Sequence, residues 1–227
     1  MAPEGLFALK GIPTAQRIAD HLREQIVLGS IRPGQQINEF VLASQLNMSR
    51  SPLREALQRL CQEGILFYRR NRGVFVSQVE KHDLREIYKV RESLESAAAD
   101  RLLDGSLRQI KETCEALKEI VNEMAKQVSA GDQQRVAGLE LQFHFALVAG
   151  AGNSRFIRIY KTLAAESRMC NLDMDFSRAR LEVLVEEHQN ILDLLEAGDR
   201  EALFKAIKRH MQKAVEDLTA THQGATP

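Results

Sequence analysis

Three of the chain's six histidines stand in stretches of helical periodicity with carboxylates close by. In GLELQFHFAL, Glu140 and His144 are four residues apart, so a helix would carry both on one face. In VLVEEHQNIL, His188 follows Glu187; in IKRHMQKAV, His210 arrives one predicted helix later. A carboxylate–imidazole pair on one helix, joined by one imidazole from each of two others, makes a four-ligand set for a divalent cation. Facing helices of a bundle are where such sites are built. The same residues also read as a satisfied core histidine and two surface histidines, and the spacing leaves both readings open. A hydrolytic reading would use Glu187 as general base beside a metal-activated water. No nucleophile set, phosphate loop or cofactor fingerprint accompanies it, so the chain is not expected to be an enzyme.

The second group that could do chemistry is cationic. Between Arg50 and Arg72 lie six arginines against only Glu55 and Glu63. Formal net charge is zero, yet residues 1–79 carry ten Lys and Arg against six Asp and Glu, and the remainder carries the opposite excess. A basic patch on a neutral chain points to one face built for a polyanion. Ser49, Arg50, Ser51 and Arg54 fall in the first turn of a predicted helix, RSPLREALQRLCQEG, whose apolar stripe is Leu53, Ala56, Leu57 and Leu60. Arg50 and Arg54, four apart, share the opposite face. A guanidinium reaching guanine N7 and O6 is the commonest base-specific contact. The unpaired N–H groups and dipole at that helix end favour phosphate, the serines can donate to it, and Pro52 costs little there. Arg70, Arg72 and Gly73 sit at a predicted hairpin tip that would meet the minor groove or its phosphates.

Around these residues the elements can be read in order. TAQRIADHLREQIVLG is a helix with Thr14 as cap, Ile18, Leu22 and Ile26 as stripe and Gly29 as stop. IRPGQQI reads as a turn on Pro33-Gly34. A short helix follows, capped by Asn38, with Phe40, Leu42, Ala43 and Leu46 on its apolar side. Then come the arginine-bearing helix, ended by Gly64, and two strands, ILFYRR and GVFVSQV, joined through Asn71-Arg72-Gly73. This is the plan of a winged helix-turn-helix. From Lys81 onward the pattern is helical throughout, with helices expected near 81–104, 107–129, 132–150, 154–171, 176–197 and 199–220. Without Trp, and with 5% aromatics, the core of that bundle must be Leu, Ile, Val and Ala. The fold class is therefore mainly α: a three-helix head with a β-hairpin wing over 1–79, and an all-helical domain over 80–227.

No run of eighteen apolar residues is present, so no membrane partner is expected, and the opening MAPEGLFALKG lacks the basic leader and apolar core of a signal peptide. Three scattered cysteines (Cys61, Cys114, Cys170) fit a reducing cytoplasm.

The stretch IRPGQQINEFVLASQLNMSRSPLREALQRLCQEGILFYRRNRGVFV resembles the DNA-binding domain of GntR-type regulators, whose pattern is PG, NE, LA, SR-x-P-x-REAL-x-RL, EG and RG-x-x-V. Asn47 stands where the family usually has Gly; Asn tolerates positive φ, so the turn should survive. Phe40 stands where some members carry an Arg. The later pieces VRESLESAAA, ELQFHFALVAGAGN, EEHQNILDLLEAGD and KRHM resemble the FCD effector domain of the FadR-like branch. The resemblance implies a transcription regulator, a repressor by preference, acting as a homodimer on an inverted-repeat operator. It implies a metal held by an Asp and three His, which correspond to Glu140, His144, His188 and His210, with Glu in place of Asp. Zinc is the expected ion, with nickel or manganese as alternatives. It also implies a carboxylate-bearing effector, for which Arg91, Asn153 and Arg168 are the candidate partners. The alternative is a regulator in which the metal itself is the signal.

Overall fold

The computed structural model describes residues 15–27, 29–78, 81–171 and 177–221, without the side chains of residues 27, 81, 82, 168–171 and 221. The predicted cap Thr14, the Arg168 side chain and the Cys170 side chain lie outside the described residues. The chain divides into two compact units, Met1–Glu80 and Lys81–Pro227.

In the first unit, α1 (Ala15–Val27) buries Ile18, Ala19, Leu22 and Ile26 and packs on α3 (Arg50–Gln62) through Leu53, Ala56, Leu57 and Leu60. Between them lies α2 (Glu39–Gln45), whose cap is Asn38: its side chain accepts from the backbone N–H of Phe40 and Val41. Asn47 turns the chain out of α2 at φ 50°, the left-handed conformation anticipated for it. The wing strands β2 (Leu66–Arg69) and β3 (Gly73–Val76) pair antiparallel, Tyr68 opposite Val74.

Two local expectations need correction. The segment IRPGQQI is more than a turn, because Gln36–Ile37 form a strand, β1, that pairs with Phe75 and Val74 and gives the sheet order β1-β3-β2. Gly34 makes this possible: at φ 75° it swings its N–H onto the Val76 carbonyl, and Val76 N–H returns to Gln35. A strand of two residues with a distant partner has no local periodicity to betray it. Phe40, assigned to the apolar side of α2, is instead 66% exposed. At ~100° per residue it lies roughly 110° from the mean direction of Leu42, Ala43 and Leu46, which do the packing.

The second unit is helical among its described residues: α4 (Lys81–Leu103), α5 (Leu107–Ala130), α6 (Gln133–Gly150), α7 (Ser154–Asn171), α8 (Arg178–Ala197) and α9 (Arg200–Thr221). Ser106, Asp132 and Ser177 accept capping bonds at the starts of α5, α6 and α8, while Gly131 and Gly198 close α5 and α8 in the left-handed region that glycine enters without strain. Helix α5 packs against α6 and α8; α4 lies against α6, α7 and α9. The core joins Leu117, Met124, Phe143, Leu195, Leu203 and Ile207. Helix α6 is buried on several faces at once, by Leu139, Leu141, Phe143, Leu147 and Val148, which marks it as the central rod of the bundle. Glu140 and His144, also buried, ride on that rod. No helix among the described residues is long and apolar enough to cross a membrane.

Candidate functional site

In the head, Ser49, Arg50, Ser51 and Arg54 are all exposed on the first turns of α3. Ser49 is the N-cap residue and makes no side-chain capping bond, so its oxygen is not spent on the start of the helix. Arg54 is held by Glu39 of α2, Nε to Oε2 at 2.8 Å. Arg50 lies over the Phe40 ring, 5.2 Å from its centroid. At the wing, Arg70 and Arg72 are exposed, and Gly73 has φ 93°. Arg69, absent from the sequence-based set, stands 5.1 Å from both the Phe67 and Phe75 rings. Its signal was available in the alternation of FYRR against GVFV, which puts Phe67, Arg69 and Phe75 on one sheet face.

In the bundle, Glu140, His144, His188 and His210 come together from α6, α8 and α9. One ligand atom from each lies within 4.8 Å of all the others, and all four residues are buried. His144 Nε2 is 3.0 Å from His210 Nε2 and 3.4 Å from Glu140 Oε1. Ligand atoms at ~2.0–2.1 Å from one ion would be spaced about 3–3.4 Å for adjacent positions, so these separations suit a single cation.

What fixes the rings is a second layer. Each Nδ1 has an acceptor: Glu95 Oε2 for His144 at 2.6 Å, the Leu184 carbonyl for His188 at 2.7 Å and Glu187 Oε2 for His210 at 2.8 Å. With the proton drawn to Nδ1, each Nε2 lone pair is directed inward, the tautomer a metal needs. Burial, with Arg91 adding to it, holds the His144 pKa well below the usual range; burial, with His210 and His144 adding, does the same for His188. These two imidazoles are therefore neutral donors. His188 Nε2 and Glu140 Oε2 are buried without a hydrogen-bond partner. Such orphans cost ~1–3 kcal/mol each, which a coordinated cation would relieve. The donor set fits a divalent metal.

Arg91 is fully buried and ion-paired, Nε to Glu95 at 3.1 Å and Nη2 to Glu140 at 3.3 Å. Burial would lower its pKa, but Tyr160, Glu140 and Glu95 outweigh that and hold it charged. Tyr160 donates to Glu95 at 2.9 Å, completing a chain of support beneath His144. Asn153 has a structural duty: its Oδ1 accepts from Arg155 N–H at 3.0 Å at the start of α7. A cavity of about 50 Å³ adjoins Glu140 and His210, with Val136, Leu181, Leu184 and Leu218 among its apolar walls. Arg180 also lines it and is paired with Asp217 and Glu187. Neither Arg91 nor Asn153 is on that wall.

Arg180, Glu95 and Tyr160 were not singled out from sequence as parts of this site. Glu95 is within VRESLESAAA, where it reads only as a local partner for Arg91; its bond to His144 joins α4 to α6 and has no spacing signature. Glu187 was visible beside His188, but its bond is to His210 of the next helix.

Comparison with known proteins agrees with both halves. The FCD domain pattern matches residues 86–213, and that of bacterial regulatory proteins of the gntR family matches residues 14–76. The chain is 32% identical over 196 residues to the Nta operon transcriptional regulator of Aminobacter aminovorans, covering 86% of this chain and 89% of that one. It is also 32% identical to the probable D-xylose utilization operon transcriptional repressor of Paenarthrobacter nicotinovorans, covering 87% of this chain and 85% of that protein. A solved structure of a putative GntR transcriptional regulator from Rhodococcus sp. RHA1 superposes with TM-score 0.75 at 26% identity, over 94% of this chain and 99% of that one. With the arginine-bearing helix and wing in one unit and the all-helical FCD domain in the other, this chain belongs to the GntR family of bacterial transcriptional regulators.

Proposed function

We propose that the chain is a repressor whose hold on its operator is set by a small carboxylate bound beside a metal in the FCD domain. The observation that carries this reading is the convergence of one ligand atom each from Glu140, His144, His188 and His210 within 4.8 Å, with every Nδ1 already hydrogen-bonded to an acceptor. Glu140, His144, His188 and His210 would hold the ion, zinc by preference, with nickel or manganese also accepted by this donor set. Once bound, the ion supplies a Lewis-acidic position for a carboxylate oxygen.

The chain's own residues do the rest. Arg91 holds Glu140 in place, and its Nη1 is a buried donor without a partner. Arg180 is the cavity-wall guanidinium nearest in role to a carboxylate anchor, so it joins Arg91 as candidate. Asn153 is spent on its cap, and Arg168 rests on sequence alone. At about 50 Å³ the cavity takes a few water molecules or the head of a small acid, which favours a compact ligand. Its largely apolar walls would accept a short carbon chain.

In this account the protein works as a homodimer, because one recognition helix reads too few base pairs to be specific. An effector changes operator affinity only by binding one arrangement of the reading heads better than the other, typically by ~1–3 kcal/mol. The test is operator binding by the zinc-loaded protein against a panel running from acetate and lactate to gluconate and citrate. One acid should shift operator affinity at least fivefold. Should a panel member bind with measurable heat and leave operator affinity unmoved, the effector reading is wrong. If zinc alone moves affinity between chelated and loaded protein, and no acid adds to it, the metal is the signal.

A further inference from the structure

Phe40 is an anomaly on the DNA-reading surface. It is 66% exposed, and with Tyr68 it is one of two exposed large hydrophobic side chains in the described part of the head. Its place is fixed. Asn38 accepts from the Phe40 N–H at 3.0 Å, which locks the residue into the first turn of α2. The Arg50 guanidinium lies 5.2 Å from the ring centroid, inside the range of a cation–π contact. Next to it, Glu39 of the same helix turn grips Arg54. The first turn of α2 is thus a platform beneath the two arginines of the recognition helix. An arginine free in solvent loses rotamer freedom when it reaches a base; one already stacked on a ring has lost part of it beforehand. The ring itself, largely exposed, presents bare apolar surface beside Arg50. In the major groove, the apolar feature that such surface can meet is the C5-methyl group of thymine.

We propose that Phe40 and Arg50 form one reading unit: the Phe40 ring packs on a thymine methyl, and Arg50, steadied over that ring, donates to N7 and O6 of the adjacent guanine. The pair therefore reads a thymine–guanine neighbour step rather than two independent bases. Phe40 contacts DNA directly and is also a positioning residue for Arg50.

The experiment uses the full-length protein and an operator duplex obtained by selecting genomic fragments on it. Each thymine is replaced in turn by deoxyuridine, which lacks only the methyl, and each guanine by 7-deazaguanine, which lacks the N7 acceptor. The parent should lose about fourfold at one thymine, the ~0.8 kcal/mol of a buried methyl converted at 1.4 kcal/mol per tenfold. An adjacent guanine should be sensitive to the 7-deaza change, and Arg50→Ala should abolish that sensitivity. Phe40→Ala should erase the thymine–deoxyuridine difference and blunt the guanine effect. Phe40→Leu, apolar but without a π face, should keep the thymine effect and blunt only the guanine one. Low-salt binding to unrelated DNA checks that the variant heads remain folded. The proposal is overturned if the parent ignores deoxyuridine at every thymine, if Phe40→Ala retains the parent's sensitivity, or if the sensitive thymine is not beside the guanine read by Arg50.

Discussion

Replacing His188 by alanine should uncouple the stability of the helical domain from metal. In the parent, His188 Nε2 and Glu140 Oε2 are buried without partners. Coordination of a cation would satisfy both, and linkage would then set the gain. A cation at a hundred times its Kd stabilises the folded state by ~2.7 kcal/mol. For a unit the size of Lys81–Pro227, each kcal/mol moves Tm by ~2–4 °C, so loading should raise the transition by about 5–11 °C. Loss of a second-layer partner alone costs ~10–100-fold in metal affinity, and loss of a ligand costs at least as much. Taking 100-fold, the same zinc concentration sits at the new Kd and yields only ~0.4 kcal/mol, or about 1–2 °C. The chain contains no Trp, so the transition is best followed by far-UV circular dichroism with zinc and then with chelator. The baseline of His188→Ala will itself fall, because the ring fills buried space against Phe143 at 4.7 Å between centroids. The informative quantity is the difference between loaded and chelated protein. An equal zinc shift in parent and variant, or no shift in the parent, would refute the reasoning.

Three further outcomes follow from other parts of the molecule. Arg54→Ala should lower operator affinity by ~5–150-fold in an equilibrium titration, the range of one bidentate base contact, whereas Arg70→Ala and Arg72→Ala at the wing should each reduce the slope of log affinity against log salt by about 1. Gly150→Ala should destabilise the helical domain: a Cβ there would stand 2.5 Å from the Thr113 side chain, whose hydroxyl is tied to the Gln109 carbonyl. Overpacking costs ~1–3 kcal/mol and the helix gains up to about 1 from losing glycine, leaving a net loss of up to ~2 kcal/mol in denaturant melts. Cys114 should resist alkylation at pH 8 until the domain unfolds, since burial first, and Glu196 after it, push its thiol up to about 11 from 9.0. Because the folded pKa is raised, its contribution to stability is intact below pH 9 and is lost as pH rises from there toward 11. A Cys114 that reacts as fast as an unfolded thiol at pH 8 would contradict the burial assigned to it.

The sequence made the helical frame legible because its punctuation is local. Gly131 and Gly198 end α5 and α8 through their own φ angles, and Asn38, Ser106 and Ser177 cap helices with their own side chains. The four residues of the candidate metal centre were legible as residues, through the Glu140–His144 spacing and the family resemblance. The layer that supports them was not. Glu95 to His144, Tyr160 to Glu95 and Glu187 to His210 each join different helices, and no periodicity encodes which helix faces which. Arg91 shows the same limit. The resemblance marked it as a candidate effector partner, but no spacing signalled its ion pair with Glu140 of α6, made alongside the one with Glu95. Phe40 failed for the reverse reason: hydrophobicity was read as burial, although α2 is short and its packing face is filled by Leu42, Ala43 and Leu46.

The most direct test of the account is operator affinity of the zinc-loaded parent and of His188→Ala, each titrated with the same panel of small carboxylates. The account predicts that one acid changes the parent's operator affinity at least fivefold and leaves the variant's unchanged, with both proteins binding the operator in the absence of acid. An equal response in the two proteins would place the effector away from the His–Glu cluster and contradict the central claim.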